Sequence, residues 1–311
     1  MEGSRISQEL ERLILELSAN CNIACAMCGF GGKPIDPSRY ISQTLLSSIL
    51  DDDISSHVSE IRLNGRGEST IHPQFVEIVR DVRNRYPSAH LSLFTNLMFK
   101  DENLLKILHE LNVMLFVSVD SVNKELYEKI RRGSSFNRFQ KRLQLIKEAT
   151  LVFTLQPDNI TEIASVCQVA ANHGFGFILN VVRTDDPSFR IHFQNTLSKN
   201  WELIIEQLQY CVHTLGNMAF IPDYIWSHRV PDNISNCVTC GSLQSCPIVG
   251  TEIMIGYDGV AFPCNMFNPT VLGNLTEEHL NSIINGQNRK NFITCHKDHY
   301  YCNNCAYILK V

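Results

Sequence analysis

No apolar stretch in this 311-residue chain reaches the roughly 18 residues that a membrane-crossing helix requires, so a spanning protein is not expected. Runs of Lys or Arg are missing too. With 27 basic against 32 acidic side chains the formal net charge is −5, which disfavours a polyanion partner such as nucleic acid. The opening residues, Met1-Glu2-Gly3-Ser4-Arg5, lack the apolar core of a secretion signal, and a cytoplasmic protein is expected. Internal repeats and low-complexity tracts are absent. A composition of 44% hydrophobic and 19% charged residues leaves no case for wholesale disorder. Cysteine is what the chain has in quantity. Its 12 cysteines fall short of the density of a disulfide-stapled mini-domain (about 8–10%), and in a reducing compartment clustered cysteines more often bind metal or do redox chemistry. Three cluster at 21, 25 and 28, seven at 237, 240, 246, 264, 295, 302 and 305, and only Cys167 and Cys211 lie between, so two separate metal sites are expected.

Short runs rich in β-branched and aromatic residues recur at Leu13–Leu17, Glu60–Asn64, His90–Thr95, Met114–Asp120, Leu151–Gln156 and Phe177–Val182. Their near-continuous hydrophobicity is that of strands buried on both faces. Between them, Thr44–Leu50, Gln74–Arg85, Glu102–Leu111, Lys124–Arg132, Phe136–Lys147 and Ile160–His173 carry apolar residues at helical spacing. Six alternations predict an α/β fold with a parallel sheet and outer helices, two units short of a closed eightfold barrel. Ligands in such a sheet gather at the carboxyl ends of the strands. After Arg183 the rhythm stops: Asp185-Asp186-Pro187 reads as a turn and Trp201–Leu215 as one more helix. The tail from Cys237 reads as a different domain, with a hairpin over Thr251–Ala261 turning at Tyr257-Asp258-Gly259 and a short helix near Glu277–Ile284. The expected division is therefore 1–190 for the barrel, 191–236 for a linking helix and 237–311 for a cysteine-rich domain.

Cys21-x3-Cys25-x2-Cys28 follows the first strand, at the ligand-binding end of the sheet. Three thiolates on a tight loop can hold three irons of a [4Fe–4S] cube and leave the fourth open to a chelating ligand. A structural zinc site would want a fourth ligand nearby, and none is present.

With this loop in that place the sequence resembles the radical S-adenosylmethionine (SAM) enzymes, whose signature is a C-x3-C-x2-C loop after the first strand of a partial (β/α)6 barrel. The resemblance covers residues 10–190 in fold order. Gly65-Arg66-Gly67-Glu68 follows the second strand, where the family carries a Gly-Gly-Glu motif that contacts the SAM amino group. Thr95-Asn96 ends the third strand, Ser118-x-Asp120 the fourth, and Asn180 lies in the sixth, where the family's polar residues approach the SAM ribose and carboxylate. Met27 stands where the family has an aromatic residue near the adenine, and Arg66 replaces the motif's first glycine. The resemblance implies that Cys21, Cys25 and Cys28 hold a cluster that cleaves SAM, and that Met27, Gly67, Glu68, Asn96, Ser118, Asp120 and Asn180 bind it. The resulting 5′-deoxyadenosyl radical abstracts hydrogen from an unactivated C–H bond, with a low-potential electron donor as partner.

In the tail, seventeen residues separate Cys246 from Cys264, and Cys302-x2-Cys305 lies close to residue 311. The hairpin can return Cys264 towards Cys246, and four thiolates can ligate a second [4Fe–4S] cube. This pattern resembles the SPASM auxiliary-cluster domain in its short, single-cluster "twitch" form. A zinc ribbon of Cys237, Cys240, Cys302 and Cys305 is the competing assignment, against which stands a separation far above ribbon spacing. Cys237 and Cys240 are also candidate hydrogen-atom donors, and Cys240 an alternative cluster ligand. Cys167 and Cys211 read as small core hydrophobes. SPASM-type enzymes commonly modify ribosomally made peptides by epimerisation, crosslinking or excision, and such a substrate is expected here, with a separate leader-peptide-binding protein. The alternatives are an amino-sugar or cyclitol dehydrogenase or epimerase, and a non-enzymatic iron–sulfur electron carrier.

Overall fold

The computed structural model describes residues 10–52, 58–182, 187–221, 246, 248–265, 269–299 and 302. All six expected strands form, as β1 (Arg12–Leu15), β3 (Glu60–Arg62), β4 (His90–Thr95), β5 (Val113–Ser118), β7 (Ala149–Leu155) and β8 (Gly176–Val181). They pair in parallel and in chain order, as one partial barrel. The helices between them are α1 (Gln43–Asp51), α2 (Phe75–Arg85), α3 (Asn103–Glu110), α4 (Lys124–Ile130), α5 (Phe136–Leu143) and α6 (Ile163–His173).

Alternation along the strands fixes what faces where. Leu13, Leu15, Ile61, Leu91, Leu93, Leu115, Val117, Leu151, Phe153, Phe177 and Leu179 are buried in the main core. The residues between them lie on the opposite face, because successive side chains of a strand point to opposite sides of the sheet. That inner face is mixed: Arg12, Glu60, Arg62, Ser92, Phe94, Met114, Phe116 and Ser118. Leu13, Ile14 and Leu15 are all fully buried, so β1 sits inside the sheet rather than at its edge.

The covering strand comes from the tail. The hairpin forms as β10 (Glu252–Ile255) and β11 (Val260–Phe262), and Gly259 takes the positive φ of +86° that its turn needs. β10 pairs in parallel with the whole of β1, Arg12 with Glu252 through Leu15 with Ile255. The sheet therefore continues through β11 to β12 (Gly273–Asn274), and the hairpin is part of the barrel's sheet rather than a separate body. The reason is physical: an open barrel leaves β1 a row of unpaired backbone groups, and β10, buried at every position, supplies their partners.

Local readings shift in four places. The fourth helical pattern stops at Ile130, and Arg131–Arg132 form β6, which pairs antiparallel with β2 (Ala24–Cys25). Of the expected turn at Asp185-Asp186-Pro187, the two aspartates lie outside the described residues and Pro187 already opens a helix, α7 (Pro187–Lys199), which precedes α8 (Trp201–Leu215) and β9 (Ala219–Phe220), the last extending the barrel beside β8. The short tail helix begins later than read, as α9 (Leu280–Asn285). A further helix, α10 (Gln287–Cys295), follows it. No helix among the described residues is long and apolar enough to cross a membrane.

Candidate active site

The three-cysteine loop is pinned to the end of the barrel from three sides. Its own strand β2 sets Cys25 opposite Arg131, and Ala26 N–H donates to the Ile130 carbonyl at 2.7 Å. On the β4 side, Asn22 Nδ2 donates to the Met98 carbonyl (2.8 Å), and Asn96 Nδ2 donates to Asn22 Oδ1 (2.9 Å) and lies 3.9 Å from Cys21 Sγ. Behind the loop, Asn20 exchanges two hydrogen bonds with the Asp36 backbone. Cys21 and Cys25 are half-buried, Cys28 is exposed, and none is in a disulfide. Met27 packs, half-buried, against the core.

Burial pushes the Cys21 thiol up to about 11, and it also raises that of Cys25, where the charge of Arg131 pulls the other way. Both prefer to stay protonated until a cation takes the place of the proton, which is how metal loading makes thiolate ligands. Among the described residues no three His, Cys, Asp or Glu side chains converge on a single metal ion. An iron–sulfur cube does not ask for that convergence, since each thiolate binds a different corner. Three thiols of one loop, graded from half-buried to exposed, fit three corners of such a cube.

Arg131 is the residue that sequence reasoning missed. It is 5% exposed and sits behind Cys25, ion-paired with Asp120, itself fully buried, at 2.8 Å. Burial works against its charge, but Asp120 and Cys25 outweigh that and strengthen it. Asp120 is also held by Thr154 N–H on Oδ1 (2.9 Å), and its carbonyl accepts from Asn159 Nδ2 (3.0 Å). Both carboxylate oxygens of this expected SAM-side residue are thus engaged within the protein. Ser118, half-buried at the end of β5, and Asn180, exposed on β8, remain at the strand ends as expected.

The Gly65–Glu68 loop is pressed against the segment leading into the cysteines. A Cβ on Gly67 would lie 2.1 Å from the Asn20 carbonyl oxygen and 2.6 Å from that of Ser18, so the approach requires glycine. Glu68 is buried, and burial raises its pKa. It accepts from Thr70 Oγ1 (2.6 Å), Thr95 Oγ1 (2.9 Å) and Asn96 N–H (2.8 Å), which takes three of its four lone-pair positions. Its main service is therefore to latch the loop after β3 to the end of β4. Arg66, in the place of a glycine, has its own role. Its backbone N–H and its guanidinium both bind the fully buried Glu16, and the guanidinium lies over the rings of Tyr257 (5.6 Å) and Phe262 (5.9 Å) from the tail hairpin.

Just beyond this loop, His72 accepts from Gln74 N–H at Nδ1 (3.1 Å) and sits 3.1 Å from the Ile41 carbonyl at Nε2, which fixes it neutral with the proton on Nε2. Burial lowers its pKa below the ordinary 6.5. Its contribution to stability is therefore complete above pH about 6.5 and is lost as the pH falls through the lowered value. Thermal melts from pH 7.5 to 5 are expected to show the advantage of the wild type over His72→Asn shrinking with acidity. An advantage that holds constant would refute the assignment.

Inside the barrel, Phe94 and Phe116 stack face to face (centroids 4.6 Å apart, 9° between planes), with Arg62 over Phe94 at 5.4 Å. A cavity of about 640 Å³ lined by Arg12, Glu60, Arg62, Met114 and Phe116 opens at the strands' amino ends, opposite the cysteine loop, and so is not where the loop's chemistry occurs. Cys246, Cys264 and Cys302 are half-buried in the tail, Cys246 and Cys302 against the same core. Cys237, Cys240 and Cys305 lie outside the described residues.

A parallel α/β barrel with a three-thiol loop at its ligand-binding end, extended by a cysteine-bearing hairpin, defines an iron–sulfur barrel enzyme. The radical SAM superfamily matches residues 15–185, and an iron–sulfur cluster-binding domain, SPASM, matches residues 246–306. The chain belongs to the radical SAM superfamily, and with that membership come SAM and a [4Fe–4S] cluster, together with an auxiliary cluster in the SPASM domain. It is 22% identical to a cysteine-type anaerobic sulfatase-maturating enzyme of Clostridium novyi, over 96% of this chain and 85% of that one. In structure it resembles SuiB of Streptococcus suis bound to S-adenosylmethionine (TM-score 0.71, 12% identity, 97% of this chain and 72% of that one). It also resembles BtrN in complex with AdoMet and 2-DOIA (TM-score 0.54, 17% identity, 96% of this chain and 93% of that one). The likeness to both structures is one of fold.

Proposed function

We propose that this enzyme modifies a ribosomally made peptide by hydrogen abstraction, through epimerisation, crosslinking or excision. The observation that carries the radical chemistry is the loop of Cys21, Cys25 and Cys28 held at the strand ends by Arg131 and Asn96. Those three thiols would hold a [4Fe–4S] cube, which when reduced would supply the electron for cleavage of SAM to methionine and a 5′-deoxyadenosyl radical. The chain's part is to place and shield. Met27 would cover the adenine side of the loop, while Gly67 and Glu68 would shape the wall nearest the SAM amino group. Asn96, Ser118 and Asn180 would offer polar atoms to the ribose and carboxylate, and Asp120 holds Arg131 behind Cys25. Cys246, Cys264, Cys302 and Cys305 would hold the auxiliary cube, and Cys237 or Cys240 would return a hydrogen atom to the substrate radical. The division at 1–190, 191–236 and 237–311 is part of this reading, with the hairpin shared by the barrel's sheet.

A peptide substrate is supported by two similar proteins: the C. novyi relative is a sulfatase-maturating enzyme, and SuiB has also been solved bound to the precursor peptide SuiA. A leader-peptide-binding protein and a low-potential electron donor are the partners that reading requires. Conversion of an amino-sugar or cyclitol is the second reading, favoured by the match to 93% of the BtrN chain. To separate them, anaerobically reconstituted enzyme is given SAM, dithionite and either peptides encoded beside its gene or aminocyclitols. Mass-shifted peptide with stoichiometric 5′-deoxyadenosine is the expected result, and turnover of aminocyclitols alone would overturn the peptide reading. In the same assay Cys264→Ala is expected to keep SAM cleavage, lose product and hold about four irons instead of eight. Full product formation by that variant would contradict the auxiliary role.

A further inference from the structure

One buried acid has no part in the chemistry at the barrel mouth. Glu252 opens β10 at 2% exposure, ahead of the wholly buried Ile253, Met254 and Ile255. The β10–β11 ladder pairs Met254 with Phe262 and Ile255 with Ala261. Carried two residues further, that register sets Glu252 opposite Cys264. The local bonds agree: Glu252 Oε1 accepts the N–H of Asn265, the residue after Cys264, at 2.7 Å. Its Oε2 meets Arg12 Nη1 at 3.1 Å, and Arg12 Nε in turn donates to Glu60 Oε2 at 2.5 Å. Glu60 also takes Ser92 Oγ (3.0 Å) and Arg62 Nη2 (2.9 Å). A chain of charge-assisted bonds thus runs from the Cys264 loop into the barrel.

Burying a carboxylate is costly unless it is paired, and an apolar residue would have continued β10 at no such cost. We propose that Glu252 is a positioning residue for the auxiliary cluster: it ties the Cys264 loop to the barrel through Arg12 and holds the cluster's reduction potential down. The direction follows from charge. A cube ligated by thiolates is already negative, and one more electron is opposed by a carboxylate across the ladder. Cluster potentials respond to nearby charge and to hydrogen bonds at sulfur. Arg12 offsets part of the charge from the far side of the carboxylate.

The inference rests on the auxiliary-cluster reading, and the experiment separates the two. The full chain carrying Cys21→Ala, Cys25→Ala and Cys28→Ala is reconstituted anaerobically, its iron counted, and its remaining cluster titrated by EPR-monitored potentiometry. About four irons per chain are expected. In that background Glu252→Gln, which can still accept from Asn265, is expected to raise the midpoint potential with iron content unchanged. Glu252→Asp, which keeps the charge, is expected to stay close to the parent. An unshifted midpoint in Glu252→Gln overturns the inference. Should Glu252→Gln fail to fold, the double variant Arg12→Gln with Glu252→Gln removes both charges. It is still expected to shift upward, because the carboxylate is the nearer of the two, and no shift there overturns the inference equally. A parent chain that binds no iron would instead remove the auxiliary cluster itself.

Discussion

Alanine in place of any one of Cys21, Cys25 or Cys28 is expected to reduce 5′-deoxyadenosine formation to background. The reason is that a cube held by one loop has no spare ligand. Cys21 and Cys25 are half-buried against the core and Cys28 is at the rim, and among the described residues no other His, Cys, Asp or Glu is placed with them on a shared metal ion. Iron is expected to fall from about eight to about four per chain, the remainder being in the tail. The measurement is an anaerobic assay with SAM and dithionite, followed by chromatography for 5′-deoxyadenosine. SAM cleavage that persisted at the wild-type rate in any of the three variants would remove the loop from the mechanism, whatever its resemblance to the family.

The second large effect is structural. Arg131→Met leaves Asp120 buried and without its cation, and breaking a buried pair in that way costs about 3–5 kcal/mol. Asp120→Leu alone strands Arg131 behind Cys25 and is expected to cost a similar amount. The double variant, Asp120→Leu with Arg131→Met, removes both charges and is expected to recover most of the loss, because the desolvation of two ions disappears with their attraction. Denaturant unfolding of the metal-free chain measures all three. Equal destabilisation of the double and single variants would show that Arg131 and Asp120 do not act as a pair. In the reconstituted enzyme the single variants are also expected to bind less iron at the first site, since β2 and β6 hold Cys25 in place.

The six barrel strands were legible because each is a short, almost uninterrupted apolar run, and helical spacing separates one from the next. The cysteine loop and the Gly65–Glu68 loop were legible for the same reason, as each follows a recognisable strand. What escaped was everything decided by pairing at a distance. Arg131 falls at the end of a sequence pattern that reads as helix, and nothing local shows that it leaves the helix to lie against Cys25. The only hint is Gly133, whose φ of +87° marks a turn after β6. Glu16 and Arg66 are fifty residues apart and look like two surface charges until the fold joins them. Glu252 reads as the polar start of a hairpin, and its buried position depends on Arg12 in the neighbouring strand. The hairpin itself was readable; its parallel pairing with β1 was not, because either edge of an open sheet could have received it.

That pairing makes residues 12–15 and 252–255 one mechanical object. Residues 252–255 pair with the strand that leads into the first cysteines, so a fragment that stops short of residue 252 would present β1 as a sticky border open to aggregation. Swapping this tail for that of another enzyme would exchange the neighbour of the catalytic loop, and a chimera would inherit altered SAM binding along with its new cargo of iron.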